Sequence, residues 1–503
     1  MNKLKTVAIS LIGWLSVASV SAQTNELPRT QPETEGVPSK SVIAYFDSIM
    51  GLPTTEIHSA ILMRHGKVIG EIYPAPFSSE YGHTLYSCSK TFTAAAVGIA
   101  ISENRLRLSD RVASFFPELL PDTISPWLAK MTVEDLLTMR SGFDATERVR
   151  TSETEWVRSY LAVPVVAEPG TRFAYDSMDT YLLSAIVKKV TEMNVSDYLT
   201  PRLFEPLHIE KVNWEYSPEN ITCGGWGLYL QAESLAKFGQ LLLNKGAWNG
   251  RQLIPASWVE QMMSIHAQTG GDSYGYQMWA CDHPNTVRAD GSYCQYIIVM
   301  PDEDMVAVFT QSATGNAGVR EQRLLFNDLL PTLSDNPLPA SRDAKLLAKR
   351  QKAYQLPFAT GKSSSSKVSQ YAGRYYQLGK NNMNWKGFSI EQKSKSLVIT
   401  IDAEETGKTP LNCGYRTWMN TSVPTAFPLN ARGNTLGAFS GFTAPFTANS
   451  SYAWKNANEL EVKIHFVDWM SGVVLNINFD GDQPYIQVKK NYESRPCRVN
   501  FHE

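Results

Sequence analysis

Cysteine, histidine and unbalanced charge are what this chain has little of. Six cysteines occur in 503 residues, Cys88, Cys223, Cys281, Cys294, Cys413 and Cys497, far below the density of a disulfide-held fold. Where thiols do oxidise, the expected pairs are Cys281 with Cys294, which flank a hairpin pattern, and Cys413 with Cys497 in the C-terminal region. The eight histidines are scattered, with no CxxC or HExxH spacing, so neither a metal site nor a cofactor is expected. Lysine plus arginine (47) nearly balances aspartate plus glutamate (49), for a formal charge of -2. That leaves no electrostatic reason to expect nucleic acid or an anionic membrane as partner. A membrane-length apolar run is missing as well, because Val7 to Val20 is too short and too interrupted to span comfortably.

That run reads as an export signal instead. Lys3 and Lys5 precede it, and Val20-Ser21-Ala22 closes it with small residues. The pattern predicts cleavage after Ala22 and an exported chain, periplasmic or secreted, with no stable membrane span once the signal is gone. A retained N-terminal anchor is the other reading of the same segment.

With 43% hydrophobic and 19% charged residues, the chain folds, and its length calls for more than one core. An amphipathic helix pattern near residue 40 leads into strands around His58 to Met63 and Val68 to Tyr73, split at His65-Gly66-Lys67. After Ser87, KTFTAAAVGIAIS is apolar on nearly every face, the mark of a buried helix. Helical patterns follow at Val133 to Met139, Tyr181 to Glu192 and Ser234 to Asn244, then strands at YGYQMWA, YCQYIIVM and MVAVFTQ. Pro- and Ser-rich punctuation around a short charged helix marks 336–367 as a linker. Beyond it, segments such as SLVITID and ELEVKIHFV alternate as half-buried strands do. The expected division is a signal peptide at 1–22, a first domain at 23–335, the linker, and an all-β accessory domain at 368–503, a small barrel or lipocalin-like sheet.

The chemistry centres on Ser87-Cys88-Ser89-Lys90. A serine hydroxyl needs a base to become a nucleophile, and a lysine amine serves if its ammonium is disfavoured. At a helix start, residues i and i+3 share a face, so Lys90 can reach Ser87. The apolar helix and the positive end of its dipole both favour the neutral amine. Ser-x-x-Lys also occurs at Ser234/Lys237 and Ser364/Lys367. By pattern alone a helix N-cap explains Ser87 as readily as a nucleophile does, whereas Ser234 caps or opens an ordinary helix and Ser364 lies in the Ser-rich linker. Gly271-Asp272-Ser273-Tyr274-Gly275 matches a nucleophile-elbow pattern, but it lacks the strand before and the helix after, and reads as a turn. Cys88 reads as a small buried hydrophobe.

Several ordered landmarks accompany Ser87: LRLSDRVASFFPEL, MTVEDLLTMRSGFD, EPGTRFAYDSMDTYLLSAIV, GGWGLYLQAESLAKFGQLLLNKGAWNG and the closing strands to VAVFTQ. Together they resemble the serine β-lactamase and penicillin-binding-protein superfamily, in its class C-like branch of esterases and 6-aminohexanoate-dimer hydrolases, over about residues 35–330. The resemblance implies an α+β fold, an antiparallel sheet flanked by helices. It places the second family motif at Tyr175-Asp176-Ser177, with Tyr175 sharing protons with Lys90. It places the third at Ala289-Asp290-Gly291, on an edge strand lining the site, with Ser292 following. The backbone N–H groups of Ser87 and Ser292 would form the oxyanion hole, and Gly291 would let the strand approach the substrate. Ala289 stands where the family has a basic residue for a β-lactam carboxylate, with Arg288 or Arg320 as substitutes. Asp176 and Asp290 could read a cationic or hydroxyl-bearing substrate.

The implied activity is a serine acyl hydrolase, an esterase or amidase working through a Ser87 acyl-enzyme on a small molecule. Transfer of the acyl group to a small alcohol acceptor, or D-Ala-D-Ala peptidase or β-lactamase activity, are the alternatives. The reading from another class is a binding protein on an inactive scaffold.

Overall fold

The structure, a computed structural model, describes residues 26–144, 149, 155–314, 320–424, 445–481 and 483–501. The expected signal peptide and its cleavage site lie outside the described residues. No helix among those residues is long and apolar enough to cross a membrane.

The first domain is built on an antiparallel sheet. Helix α1 (Ser39–Met50) leads into strands β1 (Thr55–Arg64) and β2 (Lys67–Ile72). Helices α2 (Ser89–Ser102), α3 (Ser177–Thr191) and α4 (Ala232–Leu243) follow, and strands β3 (Val287–Gly291), β4 (Gln295–Met300) and β5 (Met305–Ala313) complete the main sheet. The order is β2-β1-β5-β4-β3, extended by the short strands Trp279–Ala280, Ser273–Tyr274 and Ala267–Gln268. Both faces are covered. Ile61, Met63, Ile297, Val299, Val306 and Val308 point to a core shared with α2, α3 and α4. The alternate residues Leu62, Ile298, Met300, Ala307 and Phe309 pack on the other side with Val42 and Phe46 of α1. A sheet buried on two faces needs apolar residues at successive positions, which explains why YIIVM and MVAVF do not alternate with polar residues.

YGYQMWA is not one strand. It folds as two short strands around Gln277, whose backbone is left-handed (φ 61°). The Gln277 side chain is drawn inward, accepting from Thr180 Oγ1 at 2.6 Å and donating to the Leu136 and Leu137 carbonyls. These buried hydrogen bonds outweigh the strand preference of its neighbours.

The C-terminal domain is a curled sheet of ten strands from Tyr375–Gln377 to Cys497–Asn500. An antiparallel bridge between Leu378 and Phe501 ties the first strand to the last. Phe388, Ile390, Ile399, Leu411, Val462, Ile464 and Leu475 fill its core.

The segment expected to be a linker is packed rather than free. Its helix α5 (Asp343–Gln351) lies on α1 and β2, burying Leu347. Tyr354 and Leu356 bond the backbone of Ala75, and Lys362 bridges to Trp454 of the C-terminal sheet. Buried Leu347, Leu356 and Ala359 supply the apolar contact that a solvated linker would lack. The cysteine pairs expected from sequence are not formed, and none of the six cysteines is in a disulfide. Cys281 faces Gln322 and Arg288, whereas Cys413 is buried in the C-terminal sheet and Cys497 lies by Asn382.

Candidate active site

Ser87 sits in a single 3-10 turn, Tyr86–Cys88, that runs directly into α2. It is not an N-cap. The helix begins after Cys88 without a side-chain cap, and the Ser89 hydroxyl instead donates to the Tyr86 carbonyl at 2.6 Å. One turn on, Lys90 is 1% exposed. Its Nζ lies 3.1 Å from Ser87 Oγ, 3.0 Å from Ser177 Oγ and 2.6 Å from the Gly225 carbonyl oxygen. The same Nζ is 4.9 Å from the centre of the Tyr175 ring, within cation–π range. A buried amine with three oxygen acceptors is held in one place, and one of those acceptors is the hydroxyl of Ser87.

The three residues of the second motif divide their tasks by position. Asp176 is extended and caps α3, its carboxylate accepting from the Met178 N–H at 2.8 Å. That carboxylate is buried and engaged in holding the helix start, so the structure ties it to capping. Ser177, the first residue of α3, is thereby aimed at Lys90. Tyr175, just before the helix, stays 40% exposed and meets Tyr274 and Trp279 at 6.1 and 5.4 Å between ring centres. Phe173 joins the same cluster, so an aromatic cluster around buried Tyr274 packs beside Tyr175.

The third motif differs from expectation in three respects. Strand β3 is not the sheet edge, since Trp279–Ala280 pairs along its outer side. Ala289 is 0% exposed and packs in the core with Leu85 and Cys88, so its side chain offers no surface to a ligand. Arg288 is also committed elsewhere, to Asp290 at 2.8 Å and to the Ala280 carbonyl. Burial raises the Asp290 carboxyl above its ordinary range, against the pull of the Arg288 guanidinium. The two charges serve each other. Arg320, the other candidate cation, reaches Thr54 Oγ1 at 3.3 Å. Gly291 does permit a close approach, but to the chain itself: a Cβ there would overlap the Leu85 carbonyl oxygen. The strand is thereby pressed against the turn that carries Ser87, bringing Ser292 to its flank.

Gly225 is the residue beside Lys90 that the sequence motifs did not point to. Its carbonyl holds Lys90, and a Cβ at this position would overlap the Ser177 carbonyl. The signal was present in Gly224-Gly225, where paired glycines in a landmark segment mark close backbone approach. Cys88 is fully buried, with its thiol pushed well up by desolvation and donating to the Gln295 carbonyl at 3.2 Å. Ser273 lies in a short hairpin, bonded to Gln268 at 3.0 Å, with a strand partner and no following helix.

This arrangement can be compared with known proteins. The family model described as Beta-lactamase matches residues 58–329. The 6-aminohexanoate-dimer hydrolase of Paenarthrobacter ureafaciens is 24% identical over 277 residues, covering 49% of this chain and 70% of that protein. A beta-lactamase of Escherichia coli K12 is 26% identical over 155 residues, 30% of this chain and 40% of its own length. Among solved structures, EstCE1, described as a hydrolase with promiscuous acyltransferase activity, aligns with TM-score 0.48 at 16% identity, over 56% of this chain and 96% of its own. With the family match extending over more than half of its residues, from the first sheet strand through the last, the chain belongs to the beta-lactamase family.

Proposed function

We propose that this protein is a serine acyl hydrolase that cleaves a small ester or amide through a Ser87 acyl-enzyme. The observation that carries the reading is the buried Lys90 amine 3.1 Å from Ser87 Oγ. A carbonyl oxygen can only accept, so the contact to Gly225 fixes one N–H of the amine, and Ser177 can take a second. In the neutral amine the lone pair is then left for the Ser87 proton. Ser87 attacks the carbonyl carbon as Lys90 takes that proton. The Ser87 and Ser292 N–H groups steady the developing oxyanion. Tyr175 passes protons between Lys90 and the leaving group, and water then resolves the acyl-enzyme by the reverse relay. The exported location predicted by the N-terminal segment suits a substrate met outside the cytoplasm.

Burial of Ala289 and the pairing of Arg288 with Asp290 favour substrates without the carboxylate that a β-lactam presents. The rings of Tyr175 and Trp279, packed at 5.4 Å beside Lys90, favour a second reading, in which a small alcohol replaces water as acyl acceptor. The test is a fluorophosphonate probe with intact-mass and peptide analysis of wild type and Ser87→Ala. One adduct on Ser87, absent from the variant, supports the reading. Folded protein with no adduct, or an adduct on Ser273, rejects it. Once that adduct is established, product analysis of an ester treated with unlabelled enzyme, with and without added alcohol, separates hydrolysis from transfer.

A further inference from the structure

The two segments proposed to hold the oxyanion donors share an unusual backbone. Tyr86, directly before Ser87, has φ 47°, and Tyr293 and Cys294, directly after Ser292, have φ 62° and 71°. Bulky residues in the left-handed region persist only where surrounding contacts over-determine them. Some of those contacts lie within the first domain, as where Gln311 donates to the Cys294 carbonyl, and the rest come from the C-terminal domain. The Tyr86 and Tyr293 rings meet edge to face at 5.4 Å, and Tyr293 meets Tyr492 of the C-terminal domain at 5.6 Å. Tyr86 and Tyr293 both pack against the core of the C-terminal sheet.

Tyr492 is itself rigidly placed. It is 5% exposed. Its neighbour Asn491 accepts from the Gly472 N–H at 2.8 Å and donates to Glu56 of β1 at 2.9 Å, tying the two domains at this corner. A second grip lies on the far side of the nucleophile. Tyr229, paired in register with Thr84, donates its hydroxyl to the Asp468 carbonyl and stacks on Trp469 at 6.3 Å. The Leu85 N–H bonds the neighbouring Leu228 carbonyl at 2.9 Å. The turn bearing Ser87 is therefore held between two loops of the accessory domain.

We infer that Tyr492 is a positioning residue for acyl transfer, acting through Tyr293 and Tyr86 to hold the Ser87 and Ser292 N–H groups in register, so that the C-terminal domain is a working part of the active site. The inference rests on the acyl-enzyme reading above. Donors pre-set toward the developing charge lower the barrier to reaction more than they alter ground-state binding, so a loosened brace lowers kcat more than it raises KM.

The test uses the full chain with Tyr492→Ala, Tyr492→Leu and Tyr492→Phe, assayed on a p-nitrophenyl ester and by the rate of fluorophosphonate labelling at Ser87. Thermal melting follows the fold of each. Tyr492→Ala and Tyr492→Leu are expected to lose kcat and labelling rate by about tenfold, short of the ~10²–10³ lost when a donor is removed outright, with KM nearly unchanged. Tyr492→Phe is expected to rescue both rates, because among the described residues the Tyr492 hydroxyl has no hydrogen-bond partner and only its ring is used. A folded Ala or Leu variant with wild-type kcat overturns the inference, as does a Phe variant as slow as Ala. If Tyr492→Ala does not fold, Tyr492→Leu, which keeps the apolar volume, decides. Wild type that takes no label at Ser87 would reject the acyl-enzyme reading itself and the inference with it. Normal labelling in both wild type and the Leu variant would reject the inference alone.

Discussion

Ser87/Lys90 and Ser234/Lys237 are the same four-residue pattern at the start of two buried helices, and the structure uses them differently. At the first, Lys90 Nζ is gathered by Ser87, Ser177 and Gly225, which come from three separate parts of the chain. At the second, Lys237 Nζ reaches the His208 carbonyl at 3.0 Å. Burial lowers the Lys237 ammonium below its ordinary range, with Glu233 and Glu210 pulling the other way. A buried lysine near a serine is therefore common to both turns. The difference is what faces them: the Lys90 turn meets the start of α3 and a pair of glycines, with the Tyr175 ring beside it. The third pattern, Ser364/Lys367, is a surface case in which Lys367 pairs with Asp480 at 3.4 Å.

The sharpest way to break this comparison is to remove each serine. Ser87→Ala is expected to cost on the order of 10⁶-fold in kcat, as loss of a serine nucleophile does, while Ser234→Ala leaves the rate within about twofold. Esterase kinetics on the two purified variants would decide, and comparable losses would mean the two turns are not distinct. The lysines come next. Lys90→Met should cost about 10²–10⁴-fold in kcat, the range of a general base, and Lys237→Met should keep wild-type kcat. An active Lys90→Met variant would remove the base from the mechanism.

Gly225→Ala tests the supporting shell. Its Cβ would overlap the Ser177 carbonyl, so a loss of about 1–3 kcal/mol in stability by denaturant titration is expected from overpacking, with a fall in kcat as the Lys90 acceptor shifts. Gly271→Ala, in the rejected nucleophile-elbow pattern, meets nothing within 4 Å and is expected to change stability by less than about 0.5 kcal/mol. The smallest effect is assigned to Lys367→Ala. An exposed pair holds little against solvent and salt, so neither the melting temperature nor kcat should move measurably.

How much of this was legible beforehand can be judged element by element. The run KTFTAAAVGIAIS has no polar face, and its burial on all sides in α2 follows from that. The hairpin split at His65-Gly66-Lys67 returned as β1 and β2, with both His65 and Gly66 at positive φ. The segment 336–367 misled because its charges and prolines suggest solvation, while the few apolar residues that dock it are spaced too widely to announce themselves. The strand read through YGYQMWA failed because a side chain, Gln277, found partners on α3 and near Leu136 that no local pattern can supply.

From the sequence alone came the periodicities that make helices and strands, the all-β character of the C-terminal region and the pairing of Ser87 with Lys90, since each depends on residues close along the chain. Tertiary structure decided which Ser-x-x-Lys turn has a second serine and a carbonyl around its lysine, why Ala289 is core and not site, and that Tyr492 stands next to Tyr293. Those outcomes depend on contacts between residues far apart along the chain, where burial and hydrogen bonding are set by the packing of whole elements.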